Sequence, residues 1–351
     1  METFTAHLVS GLQGRGHQNV VITSHKAGGL PDDSTFEDVP VHRVDYYGPL
    51  VRHDLKAILW AKHRVQQIKL EFKPEVVIVH VGGHMAFLQL STAEAAPAPW
   101  VVVAHDLPPT GDSSPTLKQL FEKARHVVAV SRARLEDAQI IAPEAAARMS
   151  VIHPCLPWRN LHPDVVPSAA PLVLMAGRLD PSKGFGLAVE AFRRVHAELP
   201  EARLVLAGGG PIFFELKDQI RRLGLEGAVR LCGHVPDPDL TRLYQQAWVS
   251  LVPSRHSESF GLVALEAMQA ACPVVASSTG GLAEVVADGT TGFLFPTDDV
   301  ASLARCTLKL LKDRSLGIQM GLAGRQRAET HFGWANCLSE YHAILQQAAT
   351  G

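Results

Sequence analysis

The chain has no cysteine pair in C-x-x-C spacing. Its five cysteines, Cys155, Cys232, Cys272, Cys306 and Cys337, are odd in number and widely scattered over 351 residues. That excludes a zinc ribbon and a disulfide framework and implies a reduced compartment. An excess of one charge sign is also lacking: 33 Lys and Arg stand against 35 Asp and Glu, and neither half carries a surplus. A general nucleic-acid binder or a polybasic membrane dock would show a basic excess. No apolar run approaches the ~18 residues of a membrane span, and the polar start does not read as a signal peptide. A cytoplasmic chain is expected. G-x-x-x-x-G-K-[ST] and G-x-G-x-x-G are both missing, so a P-loop kinase or a nicotinamide dehydrogenase would lack its phosphate loop. What is present is 46% apolar and 19% charged, which excludes a disordered chain, and the length suits two domains rather than one.

Short β-branched runs alternate with amphipathic stretches. Val20–Thr23, Val76–Val79, Val101–Ala104, Val127–Val130 and Val151-Ile152 are apolar on consecutive positions, as strands buried on both faces are. Prolines then crowd residues 153–171 and predict a linker. A second series follows with Leu172–Met175, Leu204–Ala207, Val229–Leu231, Val249–Val252, Pro273–Ala276 and Gly292–Phe295. The reading is α/β: a first domain over 1–158, a linker over 159–170 and a second domain over 171–333. Two doubly wound units of this kind predict a cleft at their strand C-terminal ends, where ligands bind in open α/β sheets.

Three loops carry the candidate chemistry. Glu258-Ser259-Phe260-Gly261-Leu262-Val263-Ala264-Leu265-Glu266 places two carboxylates eight positions apart around a strand-to-helix glycine. A helix starting near Gly261 would aim free N–H groups at an anion, and carboxylates accept hydrogen bonds from sugar hydroxyls. By itself the spacing also fits a loop charge and a solvated helix residue. Gly177-Arg178-Leu179-Asp180-Pro181-Ser182-Lys183-Gly184 puts a guanidinium fork and an ammonium on one loop after a strand, which suits a diphosphate. Gly208-Gly209-Gly210-Pro211 lets backbone approach a ligand, or is only a turn.

These elements, in this order, resemble the nucleotide-sugar-dependent retaining glycosyltransferases of family 4, the group 1 glycosyltransferases, which have the GT-B fold. Leu240–Tyr244 leading to Pro253-Ser254, Gly280-Gly281-Leu282-Ala283-Glu284 and Asp288-Gly289-Thr290-Thr291-Gly292 extend the likeness over nearly the whole chain. The resemblance implies that Arg178 and Lys183, with Gly177 and Gly209 nearby, hold the donor's diphosphate. Glu266 would bond the ribose. Glu258 would bond the transferred sugar, beside Phe260, Gly261, Leu262 and Val263. The base would lie against Gly233–Val235, and His105 would contact the sugar near its reacting carbon. Without the resemblance, His105 reads as a hydrogen-bonded structural histidine. The last helix, over 334–350, would cross back to the first domain, with Trp334 and Tyr341 buried.

The resemblance further implies a UDP- or GDP-sugar donor, no cofactor and no metal. The acceptor would be a sugar, a lipid-linked or a small molecule, with room for a peripheral membrane contact. Asp237-Pro238-Asp239 spells D-x-D, a metal signature in another fold, but Asp before a helical run reads as an N-cap. His80 and His84 flank Gly82-Gly83, which reads as a loop. Family members open with a strand and a Gly-Gly loop before the helix that here reads Glu2–Gln13. Two expectations follow: an internal gap in the first sheet, with catalysis impaired or the natural chain longer, or direct pairing of strands 20–23 and 76–79. The second functional reading is a catalytically silent protein that binds a nucleotide or a partner.

Overall fold

The computed structural model describes residues 2–24, 30–82, 85–108, 115–159, 161–162 and 164–350. They form two compact units, one comprising Met1–His153 with Ala335–Gly351 and the other Pro154–Trp334.

Among its described residues the first unit holds seven strands: β1 (Val21–Thr23), β2 (Asp33–Phe36), β3 (Val39–Arg43), β4 (Val77–Gly82), β5 (Trp100–Asp106), β6 (His126–Ala129) and β7 (Met149–Val151). Their valine runs are the reason for the sheet: Val101, Val102, Val103, Val127 and Val128 have no exposed surface. Strands β4-β5-β6-β7 make one parallel sheet, and β1-β3-β2 make a second, mixed one in which β2 runs antiparallel to β3. Strand β1 pairs in parallel with β3, Val21 opposite Val41, and β4 pairs with β5. Among the described residues β1 and β4 do not pair, so the expected closure of these two strands is not found.

The hairpin β2–β3 carries only a weak strand signal in sequence, the alternation of Val39 and Val41 about Pro40. Its turn is Glu37-Asp38, with φ of 48° and 66°, a two-residue turn normally written with Asn or Gly. Strand β2 is mostly exposed, so no apolar face marks it. Core packing lies between the parallel sheet and the helices Met85–Thr92, Pro115–Lys123 and Arg132–Ile141, around Leu120, Phe121 and Ala138. A second cluster under the helix Leu55–Phe72 collects Ala61, Val65 and Ile68 with Val44, Tyr46 and Leu88. The helix Trp334–Thr350 supplies Tyr341, buried against Phe4 at 5.7 Å between ring centroids. Trp334 itself is only half-buried, not buried as expected.

The second unit is a single sheet of β8 (Leu172–Ala176), β9 (Arg203–Ala207), β10 (Val229–Gly233), β11 (Val249–Val252), β12 (Val274–Ser277) and β13 (Gly292–Phe295). Its order is β10-β9-β8-β11-β12-β13, with every pairing parallel. Counted from β8, this is 3-2-1-4-5-6, the order of a doubly wound dinucleotide-type domain. The chain reverses its direction of winding between β8 and β11, and the loops leaving their C-terminal ends diverge to opposite sides of the sheet. Such a switch point is where open α/β sheets hold ligands. Among the described residues no helix is long and apolar enough to cross a membrane.

Candidate functional site

The two loops at the switch point are bound to each other by backbone. After β8 the chain passes Gly177 and Arg178, turns at Pro181–Lys183 and enters the helix Phe185–Glu198. Asp180 fixes that turn by accepting from the Ser182 N–H at 3.0 Å and its hydroxyl at 2.6 Å. These bonds, then Arg178 and Lys183, hold its carboxyl below the ordinary value. Gly184 follows with φ of 77°, and a Cβ there would lie 2.0 Å from the Pro253 carbonyl oxygen on the loop after β11. No other residue allows that approach. Arg255 N–H donates to the Ser182 carbonyl at 2.8 Å, closing the two loops together.

This closure brings Lys183 to Glu258. The ammonium lies 2.9 Å from both carboxylate oxygens, and Ser254 Oγ donates to Oε2 at 2.8 Å. An ammonium has three donors, so at least one remains for another acceptor. Arg178 projects further out, 71% exposed, with Asp180 3.3 Å away. Behind them, Leu179 N–H donates to the Gly209 carbonyl at 2.9 Å, so the glycine loop after β9 backs the β8 loop.

Gly261 ends the β11 loop, and the helix Leu262–Gln269 starts there. Leu262 and Val263 fall in its first turn, where N–H groups have no acceptor within the helix. Phe260 is buried, and Gly280 explains how the segment is held. At φ of 52°, a Cβ on Gly280 would sit 2.2 Å from the Glu258 carbonyl oxygen. Gly281 N–H donates to that same oxygen at 2.8 Å. The Gly280-Gly281 pair is thus a clamp on the backbone of Glu258.

One turn into the helix, Glu266 is mostly buried, with 14% of its side chain exposed, in a network unforeseen from sequence. Arg159 donates to Oε1 at 2.8 Å and to Thr241 Oγ1 at 3.0 Å, and Tyr244 donates to Oε2 at 3.2 Å. Asp237 lies 3.6 Å from the same guanidinium. Burial raises the Glu266 carboxyl above its ordinary value, and Arg159 opposes that rise. Burial, and then Glu266, push the Tyr244 phenol well above its ordinary value, so it stays a donor. Arg159 lay unread among the linker prolines; its one signal was a lone charge between Trp158 and Asn160.

Other expected residues fall as follows. Val235 is half-buried just past β10, beside Gly233. Asp237 and Asp239 occupy the first turn of the helix Asp237–Gln246, whose N-cap is Pro236. Asp237 is therefore not the cap; its charge complements the helix dipole from inside the first turn. In the first unit, His105 is buried on β5, and its Nε2 lies 2.9 Å from Nδ1 of His80 on the neighbouring β4. The rings stack, and Phe4 meets His105 edge-on. His80 is thus a strand residue and not part of a loop. Gly83 and His84 lie outside the described residues. Burial pushes His80 down to about 4 and His105 well below its ordinary value.

Two family models match the chain in succession. The one described as Glycosyltransferase Family 4 matches residues 1–157, and the one described as Glycosyl transferases group 1 matches residues 161–327. Glycogen synthase of Mycobacterium tuberculosis is 36% identical over 179 residues, which cover 51% of this chain and 43% of that relative. The chain thus spans less than half the length of that curated relative. D-inositol 3-phosphate glycosyltransferase of Streptomyces scabiei is 29% identical over 377 residues, covering 95% of this chain and 83% of the relative. Sucrose-phosphate synthase from Thermosynechococcus elongatus superposes with a TM-score of 0.83 at 22% identity, over 97% of this chain and 91% of that one. Anabaena HepE, solved in complex with UDP, superposes at 0.74 and 23%, over 88% and 87%. The likeness to these two structures is one of fold, the GT-B fold.

Proposed function

The chain belongs to the group 1 glycosyltransferases of family 4, and from that premise we propose that it moves a sugar from a nucleotide-diphosphate donor to an acceptor hydroxyl. The observation that carries this reading is the meeting of Lys183, Glu258 and the start of the helix Leu262–Gln269 at the β8/β11 switch point. Cations, a helix N-terminus and a carboxylate are what a sugar diphosphate needs. The UDP in HepE and the sugar-transfer names of the relatives support the same reading.

In this reading the bond between the anomeric carbon and the diphosphate oxygen breaks, and the electron pair stays on the departing phosphate. Arg178, the free donor of Lys183 and the N–H groups of Leu262 and Val263 hold that charge. Fixed donors of this kind stabilise a transition state without reorganising. Glu258 accepts from the transferred sugar's hydroxyls, and Glu266 from the ribose. A carboxylate has about four acceptor sites, so the bonds from Arg159 and Tyr244 leave room on Glu266. The sugar carbon develops oxocarbenium character. The acceptor oxygen attacks from the face that the diphosphate leaves, and its proton passes to the leaving phosphate oxygen. Configuration is retained without a side-chain nucleophile, and no metal or cofactor is required. By the family resemblance, His105 serves the sugar near the reacting carbon. UDP- and GDP-sugars are the donor class, and the acceptor is a sugar, a lipid-linked or a small molecule.

A thermal-shift screen of nucleotide sugars tests the donor reading. A donor at a hundredfold excess over its Kd stabilises by about 2.7 kcal/mol. Product stereochemistry by NMR tests retention, and transfer in EDTA tests metal independence. An absolute manganese requirement would revive Asp237 and Asp239 as ligands. Stabilisation by UDP or GDP without donor hydrolysis or transfer would favour a silent binding protein.

A further inference from the structure

The carboxylate of Glu266 is gripped from two sides, and the grip leaves half of its capacity unused. Arg159 donates to Oε1 and Tyr244 to Oε2, so each oxygen receives one bond from the protein. A carboxylate oxygen offers about two acceptor positions. Among the described residues no other donor reaches either oxygen. One acceptor position therefore remains on each of the two oxygens, side by side.

Arg159 comes from an irregular segment, yet that segment is fastened on both sides of it. Upstream, Leu156 bridges to Gly333, and its carbonyl accepts from Gln269 at 3.4 Å, three positions after Glu266 on the same helix. The ring of the adjacent Trp158 lies 5.0 Å from the guanidinium of Arg325. Downstream, His162 N–H donates to Oε1 of Gln245 at 3.0 Å, and Nε2 of Gln245 donates to the His162 carbonyl at 2.9 Å. Gln245 shares the helix Asp237–Gln246 with Thr241 and Tyr244. The segment is thus laced to both helices that carry the network. The guanidinium itself has a second anchor. Thr241 gives its one proton to the Asp237 carbonyl at 3.0 Å, so its oxygen accepts from Arg159. A planar fork held at one end by Thr241 meets Glu266 at its other end in a fixed plane.

Stability alone does not call for such a pair, since apolar side chains of similar size fill a buried site as well or better. Its use lies in what it does to the carboxylate. Burial favours the protonated carboxyl, which would turn one acceptor into a donor, and Arg159 opposes that change. We infer that Arg159 is a positioning residue for the nucleotide: it orients Glu266 to accept from two vicinal hydroxyls at once, one on each oxygen, and so makes the site select a ribonucleotide over its 2′-deoxy form. The inference rests on the reading of Glu266 as the ribose contact. A deoxyribose offers one of the two hydroxyls and leaves the other oxygen of a charged group unmatched.

The test is calorimetric titration of the full chain with UDP, GDP and their 2′-deoxy forms. The wild type should bind a ribonucleotide at least about tenfold more tightly than its deoxy form, the worth of one hydrogen bond to a charged group. Arg159→Met should bring that ratio close to one, chiefly by weakening the ribonucleotide. Thr241→Val removes the second anchor and keeps the ion pair, so it should lower the ratio while the Tm stays near wild type; it serves where Arg159→Met is too unstable to titrate. Glu266→Gln should also lose the preference, and adding Arg159→Met to it should weaken the ribonucleotide no further, because the arginine acts through the carboxylate. A wild-type ratio in both Arg159→Met and Thr241→Val would overturn the role of Arg159 and leave Glu266 as the ribose contact. A ratio of one in the wild type would overturn the ribose reading and the inference with it, and absence of binding by both UDP and GDP would overturn the donor reading itself.

Discussion

The two units solve the same problem differently. In Pro154–Trp334 six strands close into one parallel sheet, and the candidate groups stand at its single switch point. Among the described residues of the other unit seven strands divide between two sheets, β1-β3-β2 and β4-β5-β6-β7. Where the sheet is continuous, backbone places the chemistry: Gly184 against Pro253, and Gly280-Gly281 against Glu258. Where it is divided, side-chain packing does so: His105 is held by the stacked His80 and the edge of Phe4, which in turn meets Tyr341 from the last helix. Backbone contacts tolerate almost no substitution, whereas side-chain contacts tolerate repacking if volume is kept.

That contrast can be broken in four ways, beginning with the largest effect. Arg159→Met leaves the buried Glu266 carboxylate without its cation and should cost about 3 kcal/mol or more in a urea melt of the second unit. The lone carboxyl would then favour its protonated form, so the variant should regain stability as pH falls, and adding Glu266→Gln should restore much of the loss. A wild-type melt for Arg159→Met would remove the network from the account. Next, Lys183→Ala or Arg178→Ala should slow transfer about a hundredfold, roughly 3 kcal/mol of barrier, with little change in Tm because both lie on a surface loop. Turnover at the wild-type rate in either variant would contradict the diphosphate assignment.

The third concerns the histidine pair of the first unit. Both folded pKa values lie below the unfolded value of ~6.5, so the folded state resists protonation. The pair therefore costs nothing above about pH 6.5, and stability falls as pH drops from there toward about 4, the value of His80. The slope is up to about 1.4 kcal/mol per pH unit for each histidine. Chemical melts between pH 7 and 5 should show this loss, and His80→Gln should reduce it. An identical slope in that variant would assign the acid sensitivity elsewhere. The smallest effect is at the hairpin turn: Asp38→Gly relieves a non-glycine at φ of 66° and should stabilise the first unit by about 1 kcal/mol. A lower Tm would show that this turn is held by something other than its own backbone preference.

Much of the second unit was legible in advance. Its six apolar runs correspond to β8–β13, and the loops singled out for Arg178, Lys183, Glu258 and the glycines do converge. Legibility failed where signals were short or polar. The hairpin β2–β3 carries Glu-Asp in place of Asn-Gly and an exposed first strand, so turn chemistry did not announce it and the short alternation of Val39 and Val41 stood alone. Asp237 looked like a cap because Asp before a helical run usually is, yet Pro236 takes that place. Arg159 and Glu266 are 107 positions apart, and no periodicity links them.

By itself the sequence determined the local conformations. Consecutive β-branched residues make buried strands, glycine permits the left-handed turn at Gly184, and the spacing of Glu258 and Glu266 sets one before a helix and the other inside it. Only the tertiary structure decided which of these pieces meet. It set the 3-2-1-4-5-6 order that faces Lys183 to Glu258, and it brought a linker arginine onto Glu266. It also stacked His80 on His105. The physical reason is range: torsional preference and helix or strand period act over a few residues. Charge pairing, ring stacking and burial act between groups that only the packed chain brings within a few ångströms.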